Sequence, residues 1–312
     1  MNDREIIAAR PPKNAVDPRV PYAFLVEPER TAAGGVADIA TILLTNRECP
    51  FRCLFCDLWK NTTDSRVPVG AIPEQIEYAL ARLPSARQIK LYNSGNFFDV
   101  QAIPREDYAA IARRVSGFER VIVENHPKLC NASCLEFRDL LGATQQLEIA
   151  LGLETAHPEI LSRLNKQMTV DDYRQAVHFL RSADIAVRTF ILLQPPFMPT
   201  AESVQWAVRS LETAFDAGAD CCTVIPTRSG NGTMQQLEQN GLFTPPTLLA
   251  LEQVLEAGLR QERGRVFVDL WDIEKLFACP QCGPRRAERL KTMNLSQRIL
   301  PAVSCECEDH DD

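Results

Sequence analysis

The chain has 312 residues, of which 45 % are hydrophobic and 24 % charged, with a formal net charge of −7. This composition buries the core of one large α/β domain plus a small appendage and excludes a disordered chain. The acidic balance argues against broad nucleic-acid affinity, although it leaves room for an RNA substrate presented by a partner. The charged start, Met1 to Arg10, offers no signal peptide, and no apolar run reaches membrane-spanning length, which places the protein in the cytoplasm with no membrane partner.

Residues 1–38 carry several prolines and one short strand signal, Tyr22–Val26, and read as an N-terminal extension docked on the main domain. From Ile39 onward, short β-branched runs alternate with amphipathic stretches, the pattern of βα units around a parallel sheet. Six strands are expected, at Ile39–Thr45, Gln88–Asn93, Arg120–Asn125, Gln146–Leu153, Ala186–Gln194 and Asp220–Ile225. The helices between them start near Pro73, Pro104 and Pro158, each followed by acids that suit a first turn. Six units make an α/β fold with a partial (β/α)6 parallel barrel over residues 39–230, and chemistry in such sheets sits at the carboxyl ends of the strands. After Gly230 the alternation stops. A helix over Pro246–Glu262, a strand over Arg265–Leu270 and a small Cys-rich tail make residues 231–312 a C-terminal cap.

Eleven cysteines, an odd number bunched at metal-like spacings, read as metal ligands in a reducing compartment rather than as a disulfide framework. Cys49, Cys53 and Cys56 form a Cys-x3-Cys-x2-Cys triplet a few residues after the first expected parallel strand. Three thiolates on one loop hold three irons of a [4Fe–4S] cluster, whereas four cysteines would close every iron. One iron is then left open, as in a catalytic metal site. With the aromatic Phe55 before the last cysteine, the pattern resembles the signature of the radical S-adenosylmethionine (SAM) superfamily. That resemblance implies that the SAM amine and carboxylate chelate the open iron. It also implies a reductase, such as a flavodoxin or ferredoxin, whose electron cleaves the sulfonium and yields a 5′-deoxyadenosyl radical that abstracts hydrogen from a substrate. The competing reading is a non-catalytic iron–sulfur or zinc protein.

The strand ends supply the other candidates. Ser94, Gly95 and Asn96 stand where the superfamily usually has Gly-Gly-Glu, the segment that receives the methionine ammonium; here the acid is replaced by Asn96. Glu124-Asn-His-Pro127 resembles the Glu-x-Arg-Pro turn of the Elongator catalytic subunit and its relatives, which implies Glu124 near the SAM ribose or amine. His126, in the arginine's place, reads first as a satisfied loop histidine and otherwise as a substrate contact or proton donor. Gly152-Leu-Glu-Thr155 resembles a turn that helps hold SAM, which marks Glu154. A guanidinium or ammonium is needed for the SAM carboxylate, and Arg188 on a strand, whose alternative role is an outward-facing salt bridge, is ranked ahead of Arg163 and Lys166.

In the tail, Cys279 and Cys282 form one close pair and Cys305 and Cys307 another, separated by the helix-length stretch Arg285–Arg298. Four converging thiolates hold zinc or a second iron–sulfur cluster. Cys130, Cys134, Cys221 and Cys222 read as small buried apolar residues. Short segments at Leu91–Asp99, Phe190–Phe197 and Gly232–Pro246, together with the ending from Asn294–Gln297 to Cys305 and Cys307, resemble the radical SAM subunit of archaeosine synthase, a lyase family acting on a modified nucleobase in tRNA. That narrower resemblance implies a modified nucleobase as substrate and lyase chemistry. A small metabolite or peptide is the alternative.

Overall fold

The structure, a computed structural model, describes residues 1–305. Eight strands form one sheet whose spatial order is their chain order: β1 (Ala23–Arg30), β2 (Val36–Leu43), β3 (Gln88–Tyr92), β4 (Arg120–Asn125), β5 (Gln146–Glu154), β6 (Ala186–Leu193), β7 (Cys221–Pro226) and β8 (Arg265–Val268). β1 runs antiparallel to β2, and every later neighbour is parallel. The six expected parallel strands are present as β2 to β7. The sheet also continues beyond residues 39–230, because β1 pairs on one side and β8 on the other.

Among the described residues, ten α-helices accompany the sheet: α1 (Asp3–Ala9), α2 (Ala71–Leu80), α3 (Tyr108–Arg114), α4 (Ala132–Leu140), α5 (Pro158–Arg163), α6 (Val170–Ser182), α7 (Thr200–Ala217), α8 (Thr233–Gln239), α9 (Leu248–Arg260) and α10 (Cys282–Ser296). Their limits follow local chemistry. Thr169 and Asp172 close a capping box at the start of α6, and Gly218, with φ of 107°, ends α7 in the left-handed conformation that only glycine adopts cheaply. Among the described residues, no helix is long and apolar enough to cross a membrane.

Side chains alternate along the strands with period two. Leu91, Val123, Leu151, Val187 and Val224 face the helices and are buried in the main core. The alternate positions turn into the concave side of the sheet and carry charge. There the Lys90 ammonium lies 2.7 Å from Glu29, and the Arg188 guanidinium lies 2.6 Å from Glu29 and 2.7 Å from Glu148. Arg120 joins Glu148 at 2.9 Å. Because Glu29 is on β1 and Arg188 on β6, the sheet must curl until those strands meet across its interior, giving a partial barrel. Burial alone would push the Glu29 carboxyl up, but Arg188 and Lys90 hold it well below the ordinary carboxylate range. The Arg265 guanidinium donates to the Arg30 carbonyl at 3.1 Å, linking β8 to β1 at the same end, and α10 packs against both strands over the open seam.

Removing one member of a buried ion network leaves its partners charged and unpaired, which costs more than the pair itself contributed. Arg188→Met is expected to lower the unfolding free energy by about 3–5 kcal/mol, read by urea denaturation at pH 7. A loss below about 1 kcal/mol would mean that water reaches this network and screens it.

Candidate active site

The loop after β2 carries Cys49, Cys53 and Cys56, and outside its one short helical turn it has little regular structure. Some of its polar backbone groups pair within the loop, as Glu48 and Thr63 do, and others find partners elsewhere. The Leu54 amide donates to the Leu164 carbonyl at 3.0 Å. The Asn165 amide donates to the Arg52 carbonyl at 2.8 Å, and Asn231 donates to the carbonyls of Leu54 and Cys56 at 2.8 and 3.1 Å. Leu54 is fully buried against Ile6 of α1 and Met234 and Leu237 of α8, so two distant segments close over the loop. Arg10 and Lys13 reinforce this closure, each pairing with Glu48 beside the first cysteine, at 2.7 and 2.8 Å. The start of α8 comes so close to α1 that a Cβ on Gly232 would lie 1.9 Å from the Ala9 carbonyl oxygen, and the residue has φ of 87°.

On the sheet side, the expected residues gather around the same loop. Asn96 is buried, and its amide nitrogen lies 3.1 Å from the Cys49 sulfur. Gly95 packs against Cys49, the Cβ it lacks falling 3.4 Å from the Cys49 Cβ, an ordinary contact distance. The Glu124 carboxylate accepts from the amides of Asn93 at 2.6 Å and Gly95 at 3.3 Å, so the end of β4 fixes the turn after β3. Burial raises the Glu124 pKa to about 6 in spite of those amides. The Ser94 hydroxyl meets the Tyr22 hydroxyl at 2.9 Å, which ties the start of the N-terminal strand to this rim.

Glu154 ends β5 at a bulge and has φ of 65°, while Ser94 and Gln194, each just past its strand, have φ of 54° and 56°. Left-handed conformations in non-glycine residues cost energy and cluster at functional sites. Glu154 holds Lys166 in a buried ion pair at 2.5 Å. Gly152 leaves the room for it, since a Cβ there would come within 2.0 Å of the Glu154 carboxylate and 2.4 Å of the Lys166 ammonium. Burial opposes the Lys166 charge, but Glu154 and the nearby Cys53 raise its pKa above the ordinary lysine value.

The structure gives Arg188 to Glu29 and Glu148 at the opposite end of the barrel, away from the cysteine loop. Lys166 is the cation beside that loop. Arg163 instead stacks over the Phe197 ring at 3.6 Å. Phe55 is half-buried between the Leu54 cluster and a second one containing Ile160, Leu164 and Met198. His126 is buried, stacked on Phe51 of the cysteine loop at 3.8 Å, with Nε2 3.0 Å from the Lys166 carbonyl and Nδ1 accepting from the Lys128 amide at 3.2 Å. It is a satisfied loop histidine, and it braces Phe51 against the Lys166 turn. Cys134, Cys221 and Cys222 are buried in the fold, and Cys130 is half-buried.

The donor set fits an iron–sulfur cluster. Among the described residues, the only three potential ligands whose atoms all lie within 4.8 Å of one another are Cys279, Cys282 and Cys305. The sulfurs of Cys49, Cys53 and Cys56 do not all lie within that distance of one another. Burial pushes the Cys53 thiol up to about 12 and the Cys56 thiol higher still, with the neighbouring thiols adding to the effect. Metal binding replaces those protons. In the tail, the sulfurs of Cys279 and Cys305 are 4.0 Å apart, and the amides of Gln281 and Cys282 point at the Cys279 sulfur. Cys307 lies outside the described residues. Sequence reasoning missed Asn231, Ile6 and Phe51, whose partners are remote in the chain.

A family model described as the radical SAM superfamily matches residues 43–200, half of the chain, from the last residue of β2 to the first of α7. An uncharacterized protein of Methanocaldococcus jannaschii is 22 % identical, covering 94 % of this chain and 86 % of that protein. An archaeosine synthase subunit beta of Methanosarcina acetivorans is 23 % identical over 76 % of this chain and 74 % of its own. Among solved structures, an Elp3 of Methanocaldococcus infernus superposes with a TM-score of 0.51 at 15 % identity, covering 72 % of this chain and 58 % of that one, a likeness of fold.

Burial and the charge of Lys166 lower the His126 pKa to about 3. This lies below the unfolded value of about 6.5, so the stability it contributes is present above about pH 6.5 and is lost as pH falls toward 3. In spectra of protein with 15N-labelled histidine, His126 is expected to stay neutral and protonated at Nε2 from pH 8 to 5. Titration near 6.5 would contradict the brace.

Proposed function

The chain belongs to the radical SAM superfamily, and from that premise we propose that it binds a [4Fe–4S] cluster at Cys49, Cys53 and Cys56 and cleaves SAM to abstract hydrogen from a modified nucleobase. The observation that carries this reading is a trio of half-buried thiols on one loop, beside the buried Glu154–Lys166 pair, whose sulfurs do not all lie within 4.8 Å of one another. When bound, the cluster supplies one electron to the SAM sulfonium. The protein's own work is binding, orientation and exclusion of water. Lys166, held by Glu154, receives the SAM carboxylate in place of Arg188. Glu124 and the backbone around Ser94 and Gly95 receive the ammonium, in place of the acid that Asn96 lacks. Phe55 packs behind the last cysteine as an apolar wall for the cofactor.

The archaeosine synthase relative is named as a subunit, which supports a partner that presents an RNA-bound base to this chain for C–N or C–C cleavage. The net charge of −7 supports the same arrangement, since bare RNA would demand a basic surface. The charge equally favours the second reading, a free metabolite or peptide as substrate. A cytoplasmic reductase such as a flavodoxin or ferredoxin delivers the electron.

Cys279, Cys282 and Cys305 bind zinc, with Cys307 as the fourth ligand. Thiolates at about 2.3 Å from one tetrahedral ion stand about 3.8 Å apart, close to the 4.0 Å between Cys279 and Cys305. Four thiolates on separate irons would stand farther apart.

After anaerobic reconstitution and reduction, the protein is expected to convert SAM to 5′-deoxyadenosine, and the variant with Cys49, Cys53 and Cys56 all changed to Ala to make none. Cleavage by that variant would defeat the assignment. The same triple variant, purified without added metal, is expected to retain about one zinc per chain by elemental analysis; iron with sulfide there would indicate a second cluster.

A further inference from the structure

Asn96 stands where an acid is usual and is 3 % exposed, yet its side chain points at a sulfur. The amide nitrogen lies 3.1 Å from Cys49 Sγ. A thiolate only accepts hydrogen bonds, so facing a metal-bound sulfur the amide must present N–H. A carboxylate at this position would place negative charge against negative sulfur. The Asn96 backbone is held independently of this contact: its carbonyl accepts from Asp99, and the following Phe97 amide donates to the Glu124 carbonyl at 2.9 Å. The Arg52 guanidinium also reaches Cys49 but donates to its carbonyl, whereas the Asn96 amide reaches the sulfur.

We infer that Asn96 is a positioning residue for the electron-transfer step: its N–H···S bond to the Cys49 thiolate raises the reduction potential of the cluster. The inference rests on the cluster assignment above. Reduction adds negative charge that spreads onto the ligand sulfurs, so a fixed donor stabilises the reduced state more than the oxidised one. The substitution that removes the family's acid would thus make the cluster easier to reduce by the protein's electron donor. Lys166 acts in the same direction, since its ammonium also favours the charged forms of Cys49 and Cys53. Asn96 differs in touching one sulfur only, which makes the three ligands unequal.

The test is an EPR-monitored redox titration of the reconstituted protein without SAM, in wild type, Asn96→Ala and Asn96→Asp. Both variants are expected to have a lower midpoint potential, by about 59 mV for each tenfold change in the one-electron equilibrium, with Asn96→Asp the lower of the two. Equal midpoints in the three proteins would overturn the inference and leave the cluster assignment standing. Failure of wild type to assemble any cluster would overturn both. Should the variants not take up iron, wild type labelled with 15N in the asparagine side chains decides the matter. A hyperfine coupling between the reduced cluster and an amide nitrogen supports the bond, and its absence overturns it.

Discussion

Everything at the candidate site depends on one irregular loop being held from outside. Between β2 and α2 the chain carries three half-buried thiols on a loop whose own regular structure is one short helical turn, Leu58–Asn61, and the bridge between Arg47 and Thr63. Around the cysteines, its backbone is also held by Leu164, Asn165 and Asn231, and its apolar tip, Leu54, by Ile6 of α1 and the residues of α8. These partners come from the first turn of the chain, from the segment after β5 and from the segment after β7. The geometry of the proposed cluster site is thereby a tertiary property: the cysteine spacing supplies the ligands, and remote segments supply their positions.

The barrel interior is divided along its length. At the amino-terminal ends of the strands, Glu29, Lys90, Glu148 and Arg188 neutralise one another in a packed network. At the carboxyl ends, Glu124 and the Glu154–Lys166 pair stand beside the thiols. Both layers bury charge, but they differ in what remains to be done. The lower network is closed on itself, with each guanidinium and carboxylate engaged by another. The upper layer has a carboxyl whose pKa is raised to about 6 by burial, a lysine beside thiols, and three strand ends held in strained left-handed conformations. That contrast between a self-satisfied and a strained layer separates stability from function within one interior.

The six parallel strands were legible because β-branched runs alternate with amphipathic stretches, and that periodicity is local. The cysteine triplet, Glu124 and Glu154 stood out in the sequence because each lies at or shortly after the carboxyl end of a strand. Arg188 was not, although a signal existed: it lies two residues after the start of β6 at Ala186, which places it at the far end of the barrel from the cysteine loop. Position along the strand outweighs residue type. The role of Asn96 was hidden for a different reason. Read as a departure from an acidic motif it looks like a loss, and only the 3.1 Å approach to Cys49 reveals a gain of a donor. Asn231 and Ile6 had no local signal, because their function is to satisfy a loop far away in sequence.

The central claim is that the loop of Cys49, Cys53 and Cys56 holds a cluster whose open iron takes SAM. The most direct measurement is electron–nuclear double resonance on the reduced protein with SAM labelled by 15N at the amine and 17O at the carboxylate. Strong couplings from both labels to the cluster spin are expected. A reduced cluster that shows neither coupling at saturating SAM would contradict the claim.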